Sequence, residues 1–243
     1  MARDLPDWGG LPAPLTVHEV TDLGELAARL GSVVTYHRGG VVIFVEDFAD
    51  GMNRWDTVLG GAGDVADLSL VRSLSGLLSA RLLAASAAAP YAQIWHKLPV
   101  QIASRAGCEI AFAMDGVTSE VDLQIARYDG SNLVLGRVFY DAVNERLRYR
   151  DSADVAVTLA TGVALSTVAG VFHYMKLVVD LESDEYVKVL LDNVAYSLTG
   201  VALRTQASAT APGFAILALN RGVAGESHAV YLDRVIITQN EPL

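Results

Sequence analysis

Residues 119–126, Ser-Glu-Val-Asp-Leu-Gln-Ile-Ala, place two carboxylates one residue apart in a strictly alternating stretch. In a strand, alternate side chains share a face, so Glu120, Asp122 and Gln124 point one way and Val121, Leu123 and Ile125 the other. Two carboxyl groups on one surface could cleave a glycosidic bond with retention. One would have to keep its proton, and the pair would have to stand about 5–5.5 Å apart. The next residue on that face, Gln124, is an amide and has no proton to give.

Other chemistry finds less support. The histidines, His18, His37, His96, His173 and His228, are dispersed, and no Gly-x-Ser-x-Gly elbow accompanies them. His173 falls on the apolar parity of its run beside Met175, which predicts a hydrogen-bonded core histidine. Metal-binding spacings such as His-Glu-x-x-His and Cys-x-x-Cys are absent. The lone Cys108 sits in the apolar run Cys-Glu-Ile-Ala-Phe-Ala-Met and reads as a small buried filler. In Glu-Arg-Leu-Arg-Tyr-Arg, residues 145–150, Arg146, Arg148 and Arg150 share one strand face. That face is either solvated or a surface for a polar ligand or partner.

The composition sets limits on all of this. At 52% hydrophobic and 19% charged residues, the chain can build a sizeable core. A formal net charge of −10 makes nucleic acid an unsuitable partner. No apolar run reaches the about 18 residues of a membrane span; the longest candidate is broken by Arg81 and Pro90. The opening Met-Ala-Arg-Asp-Leu-Pro-Asp-Trp-Gly-Gly lacks the basic and apolar regions of a secretory signal, so none is expected.

The elements that must position these residues are mostly strands. Residues 1–32 stand apart as an arm with Pro6, Pro12 and Pro14, followed by a short helix over 21–31. Thr21 or Asp22 caps that helix, Leu23, Leu26 and Leu30 form a stripe, and Gly31 ends it. Trp8 and the leucine stripe would dock the arm on a neighbour or on the domain itself. From Val33 to residue 243 the pattern is β. Val-Val-Thr-Tyr and Val-Val-Ile-Phe-Val-Glu flank the turn His-Arg-Gly-Gly. The segment 72–86 combines helix-favouring Leu and Ala with β neighbours and is read as a turn followed by a strand. Late in the chain, Met175, Leu177, Val179 and Leu181 share a face, as do Val187, Val189 and Leu191 after the turn Glu-Ser-Asp-Glu. About a dozen short strands separated by Gly, Asp, Asn and Ser turns predict an all-β, two-sheet antiparallel sandwich.

Four motifs then occur in order: Glu-Asp-Phe-Ala-Asp-Gly-Met-Asn-Arg-Trp at 46–55, Arg-Ser-Leu-Ser-Gly-Leu-Leu-Ser-Ala-Arg-Leu-Leu at 72–83, the hairpin 176–193, and Val-Tyr-Leu-Asp-Arg-Val-Ile-Ile-Thr at 230–238. Together they resemble the concanavalin-like or laminin-G-like jelly rolls and related carbohydrate-binding sandwiches, over roughly residues 41 to 238. The resemblance makes Trp55 a core tryptophan. It gives Glu120 and Asp122 the nucleophile and helper places of a Glu-x-Asp-x-(x)-Glu strand whose third carboxylate is missing. It also implies a structural calcium, for which Glu46, Asp47, Asp50 and Asp233 are the available oxygen donors; turn formation explains Asp47 and Asp50 equally well. Sugar would stack on aromatic rings, Trp95 first, with Tyr91, Tyr128, Tyr140 and Tyr149 as further candidates. The expected ligand set is Trp95, Glu120, Asp122, Tyr128, Arg146 and Arg148.

The arm motif Leu-Pro-Asp-Trp-Gly and the terminal Ile-Ile-Thr-Gln-Asn-Glu-Pro resemble phage-type virion proteins. The resemblance implies a non-enzymatic structural or attachment protein of a phage or phage-like particle, assembled in the cytoplasm. Its partners would be copies of itself, other particle proteins and a cell-surface glycan. A free carbohydrate-binding module and a divergent glycoside hydrolase are the alternatives.

Overall fold

The alternating stretch around Asp122 becomes the middle of a nine-residue strand, and the runs near it pair with it in antiparallel register. A computed structural model of the chain describes residues 40–74, 78–99, 102 and 104–242. Among these residues there are sixteen strands and no helix. The helix expected over 21–31, the strand Val-Val-Thr-Tyr, the boundary at residue 32 and the arm residues Trp8, Leu23, Leu26 and Leu30 all lie outside the described residues.

Two antiparallel sheets face each other. The first runs β13 (Val194–Ala202), β12 (Glu185–Leu191), β11 (His173–Asp180), β6 (Arg105–Met114), β16 (His228–Gln239), β4 (Ser79–Ala84), β3 (Val65–Ser69). Strand β1 (Val41–Glu46) joins it by pairing with β16. The second runs β10 (Ala156–Thr161), β9 (Arg146–Arg150), β8 (Asn132–Asp141), β7 (Glu120–Tyr128), β15 (Gly213–Arg221), β5 (Tyr91–Leu98), β2 (Asp56–Leu59), with β14 (Arg204–Ala207) also on β8. Chain neighbours are often not sheet neighbours: β6 lies between β11 and β16, and β7 between β8 and β15.

The core fills the space between the sheets. Ile110, Phe112, Leu177, Val235 and Ile237 of the first sheet share it with Leu123, Ile125, Val138 and Ile216 of the second, all fully buried. Each such side chain contributes about 1.5–3 kcal/mol of burial, so a one-residue slip of β7, which would turn Val121, Leu123 and Ile125 out of the core, is strongly disfavoured. The segment 72–86 follows the same rule. Its strand β4 sends Ala80 and Leu82 into the core, and β pairing with β3 and β16 overrides the helix propensity of Leu and Ala.

One expected face is corrected. Val179 pairs with Tyr186 and Val178 with Lys188, so Val187 is the extra residue of a β-bulge. Tyr186 therefore enters the core beside Val189 and Leu191, and Val187, although buried, turns away from that cluster. The hairpin turns behave as the sequence predicts. Asp180 Oδ1 accepts the N–H groups of Glu182 and Ser183, and Asp192 Oδ1 accepts that of Tyr174 at 2.9 Å.

Candidate functional site

Because β7 buries its odd-numbered residues in the core, its even ones project from the opposite, outer face of the second sheet. Register carries that parity across the neighbouring strands. Asp122 stands opposite Phe139 on β8 and Leu219 on β15, and Phe139 stands opposite Arg148 on β9. Gln124 stands opposite Arg137 and Leu217, and Leu217 opposite Trp95 on β5. Glu120 stands opposite Arg221, Tyr128 opposite Gly213, and Arg146 opposite Asp141. All six residues of the expected ligand set, Trp95, Glu120, Asp122, Tyr128, Arg146 and Arg148, thus share one sheet face.

The carboxylates on this face are tied down. Arg137 reaches from β8 to Glu120 Oε2 at 3.0 Å and also closes on Asp122. Arg221 Nε donates to the same Glu120 oxygen at 3.2 Å. Gln124 Nε2 donates to Asp122 Oδ2 at 3.3 Å. The Asp122 side chain has 0% exposure. Burial raises its pKa to about 6, against the pull of Arg137 and with help from the neighbouring negative charge of Glu120. A carboxyl group with no exposed surface cannot touch a sugar ring. No carboxylic acid stands at position 124 to protonate a leaving group.

Beside this pair lies an arginine cluster. The guanidinium carbons of Arg137, Arg148 and Arg150 sit 5.4–5.5 Å from the centre of the Phe139 ring, which is fully buried. Arg148 Nη2 donates to Ala156 O at 3.0 Å and its Nη1 lies 3.7 Å from Asp141 Oδ2, while Arg150 Nη1 donates to Asp154 O at 3.0 Å. The Nε–H groups of all three are buried and have no acceptor among the described residues. Arg146 stands exposed at the rim.

At the other end of the face, a cavity of about 460 Å³ is lined by Trp95, Lys97, Pro99, Tyr128, Pro212 and Phe214. Lys97 Nζ lies 3.6 Å above the Trp95 ring, and the indole Nε1 is buried with no acceptor among the described residues. Tyr91 is also on this face, under the Arg221 guanidinium. Tyr140 and Tyr149 are not: both pack against the inter-sheet core.

Among the described residues, the expected calcium donors are not gathered into a cluster of three. Glu46 gives its two oxygens to Phe48 N and Trp55 Nε1, Asp47 binds Ala49 N, and Asp233 binds Ser73 Oγ and Leu74 N. Asp50 precedes Gly51, whose φ of +96° belongs to the turn closed by Gly51 N and Phe48 O. Among the described residues, no three His, Cys, Asp or Glu side chains are gathered to hold a metal ion. Carboxylate oxygens of Glu46, Asp47 and Asp233 accept from backbone, hydroxyl and indole donors.

Two structural readings stand. Trp55 is 6% exposed and packs on Phe48 in the core. His173 is buried, with Nδ1 on Asp192 and Nε2 on Ser166 O. The sequence reading missed Arg137, Phe139 and Arg221. An arginine inside the apolar run Leu-Val-Leu-Gly-Arg-Val-Phe-Tyr was the available signal, because a charge there must find partners on its own face.

Comparison with solved structures then decides the fold. The chain matches an endo-β-1,4-glucuronan lyase from the fungus Trichoderma reesei with a TM-score of 0.56, at 14% identity over 82% of this chain and 96% of that one. The fold is that of the concanavalin-like jelly rolls. A carbohydrate esterase from the Shiga toxin-encoding bacteriophage phi24B matches with a TM-score of 0.53, at 12% identity over 84% of this chain and 100% of that one. A sialidase matches with a TM-score of 0.51, at 14% identity over 84% of this chain; the jelly roll spans only 19% of that protein's length. No family model matches the sequence, and no curated protein matches it. At these identities the likeness is one of fold.

Proposed function

We infer that the outer face of the second sheet binds saccharide without cleaving it, and that the protein serves as a structural or attachment unit of a phage or phage-like particle. The observation that carries the non-hydrolytic part is the state of the carboxylates. Asp122 is sealed from solvent, Glu120 is held by Arg137 and Arg221, and an amide occupies position 124. Retaining cleavage needs an accessible nucleophile and a proton donor; Glu120 is only 16% exposed and tied in two ion pairs, and Asp122 has no exposed surface from which to give a proton. What remains is adhesive: an aromatic-lined cavity at Trp95 and a row of guanidinium donors.

The particle context is supported by the resemblance of the arm motif to phage-type virion proteins and by the shared fold of a phage carbohydrate esterase. Its partners are then further copies of the chain and other particle proteins. A free carbohydrate-binding module would use the same face and differ only in assembly state. A polysaccharide pull-down with a parallel reducing-end assay tests the binding part. Retention without product release, lost on Trp95→Ala, is expected; released reducing ends would overturn it. Electron microscopy tests the assembly part: rings or lattice fragments that vanish when residues 1–32 are deleted are expected, and a monomer indifferent to the deletion would overturn it.

A further inference from the structure

We propose that the saccharide held on this face is anionic, its carboxylate or sulfate groups lying across the guanidinium row around Phe139. The proposal rests on the saccharide-binding reading above and names the ligand class for that site.

Charge is the first argument. Strands β7, β8, β9 and β15 present five arginines on the outer face, Arg137, Arg146, Arg148, Arg150 and Arg221, and three carboxylates, Glu120, Asp122 and Asp141. Five minus three leaves a surplus of two positive charges on one face of a chain whose net charge is −10. Asp122 holds its proton up to a pH of about 6, so the surplus grows in mildly acidic solution.

Crowding of like charge is the second. Three guanidinium groups are gathered around one aromatic ring, with the exposed Arg146 beside them on the same strand face. Like charges gathered in this way repel. An anion meeting the exposed Arg146 and the partly exposed Arg148 offsets that repulsion through charge-assisted bonds.

Layout is the third. From β9 to β15 the row crosses three strand gaps, about 14 Å at the usual spacing. That extent suits a chain with repeated charges better than a single small ion. The same face continues to Trp95 and Tyr128, where an apolar cavity can take the flat side of a sugar ring. Stacking platform and guanidinium row together point to an acidic polysaccharide.

Affinity electrophoresis of the full chain tests this with polygalacturonate, dextran sulfate and unmodified dextran in the gel. Retardation by at least one of the charged polymers, about tenfold stronger than by dextran and weakened by raised salt, is expected. Polygalacturonate alone would name the carboxylate as the recognised group, dextran sulfate alone the sulfate. Arg146→Gln and Arg148→Gln should each reduce it several-fold, with Arg148→Lys failing to restore it because the planar fork is lost. Arg146 is exposed, so its variant tests the row even if replacing Arg148 disturbs the fold. Equal retardation by dextran, lost in Trp95→Ala but kept in both arginine variants, would overturn the anionic assignment and leave the saccharide reading standing. No retardation by any polysaccharide would overturn both. Duplex DNA competing as well as the charged polysaccharide would reduce the face to a general polyanion surface and overturn the proposal.

Discussion

The hydroxyl of Tyr186, a residue of the first sheet, accepts the backbone N–H of Arg137 in the second at 2.8 Å. The same hydroxyl donates to Arg150 O at 2.7 Å, at the point where β9 has ceased to pair with β8. One core phenol thus braces the two backbone positions from which Arg137 and Arg150 project. Burial pushes its pKa up, so it remains a neutral donor and acceptor.

Tyr186→Phe removes both bonds while keeping the ring. The expected loss is about 1–3 kcal/mol, because a buried N–H and a carbonyl are left short of partners. Urea denaturation reads it as a lower midpoint with an unchanged slope. Retention on charged polysaccharide should fall in the same variant, since the arginine backbones lose their brace.

Arg137→Met should be far more costly, about 3–5 kcal/mol, because it leaves Asp122 buried and unpaired. Adding Asp122→Asn and Glu120→Gln should recover much of that loss. A single variant with an unshifted urea midpoint would show that the ion pairs do not form.

Asp122 predicts a pH dependence of stability. Its pKa is raised in the folded protein from 3.8 to about 6, so the folded state keeps a proton that the unfolded chain has released. Stability should therefore fall as pH rises from about 4 to 6 and stay lowered above that. A rise of this size is worth about 3 kcal/mol. Asp122→Asn lacks the titration, so its stability relative to the unaltered protein should improve over that same interval. Melting temperatures of both at pH 4, 5, 6 and 7 check the trend.

His173 has the same sign at higher pH. Burial lowers its pKa, but the hydrogen bond and charge of Asp192 outweigh burial and raise it above 6.5. The stabilisation from this pair is complete below pH 6.5 and is lost as pH climbs through the raised value. Asp192→Asn should lower the melting temperature most near pH 5.5 and least in alkaline solution. A gap that does not narrow with pH would contradict the ion pair.

Gly136 on β8 faces Val179 of the first sheet with no room for a side chain. A Cβ there would lie 2.9 Å from Val179 Cγ1 and 3.1 Å from Leu203 Cδ2. Gly136→Val should cost about 1–3 kcal/mol through overpacking, read as a fall in the urea midpoint.

Much of this architecture is written locally. The alternation of Val121, Leu123 and Ile125 with Glu120, Asp122 and Gln124 names both the core face and the polar face of β7, because strand periodicity allows no other division. Asp180 and Asp192 were legible as turn residues because a short carboxylate caps nearby backbone N–H groups whatever the fold around it. The bulge at Val187 was not legible, since an extra residue changes the pairing only when a partner strand fixes the register. The partners of Glu46 and Asp233 were hidden for the same reason: side chains nine and 160 positions away use the oxygens that a calcium ion would need.

By itself, the sequence determined two antiparallel layers, the face carrying Glu120 and Asp122, and the absence of a carboxylate at position 124. Those features depend on residue type and on a period of two along a single strand. Only the tertiary structure decided that Asp122 would be sealed beneath Arg137, that three arginines would gather on Phe139, and that Trp95 would share their face. These residues come from strands ordered β9-β8-β7-β15-β5 in the sheet, an order the chain does not follow. Long-range pairing creates that neighbourhood, and with it the charge balance and burial that determine what the face can hold.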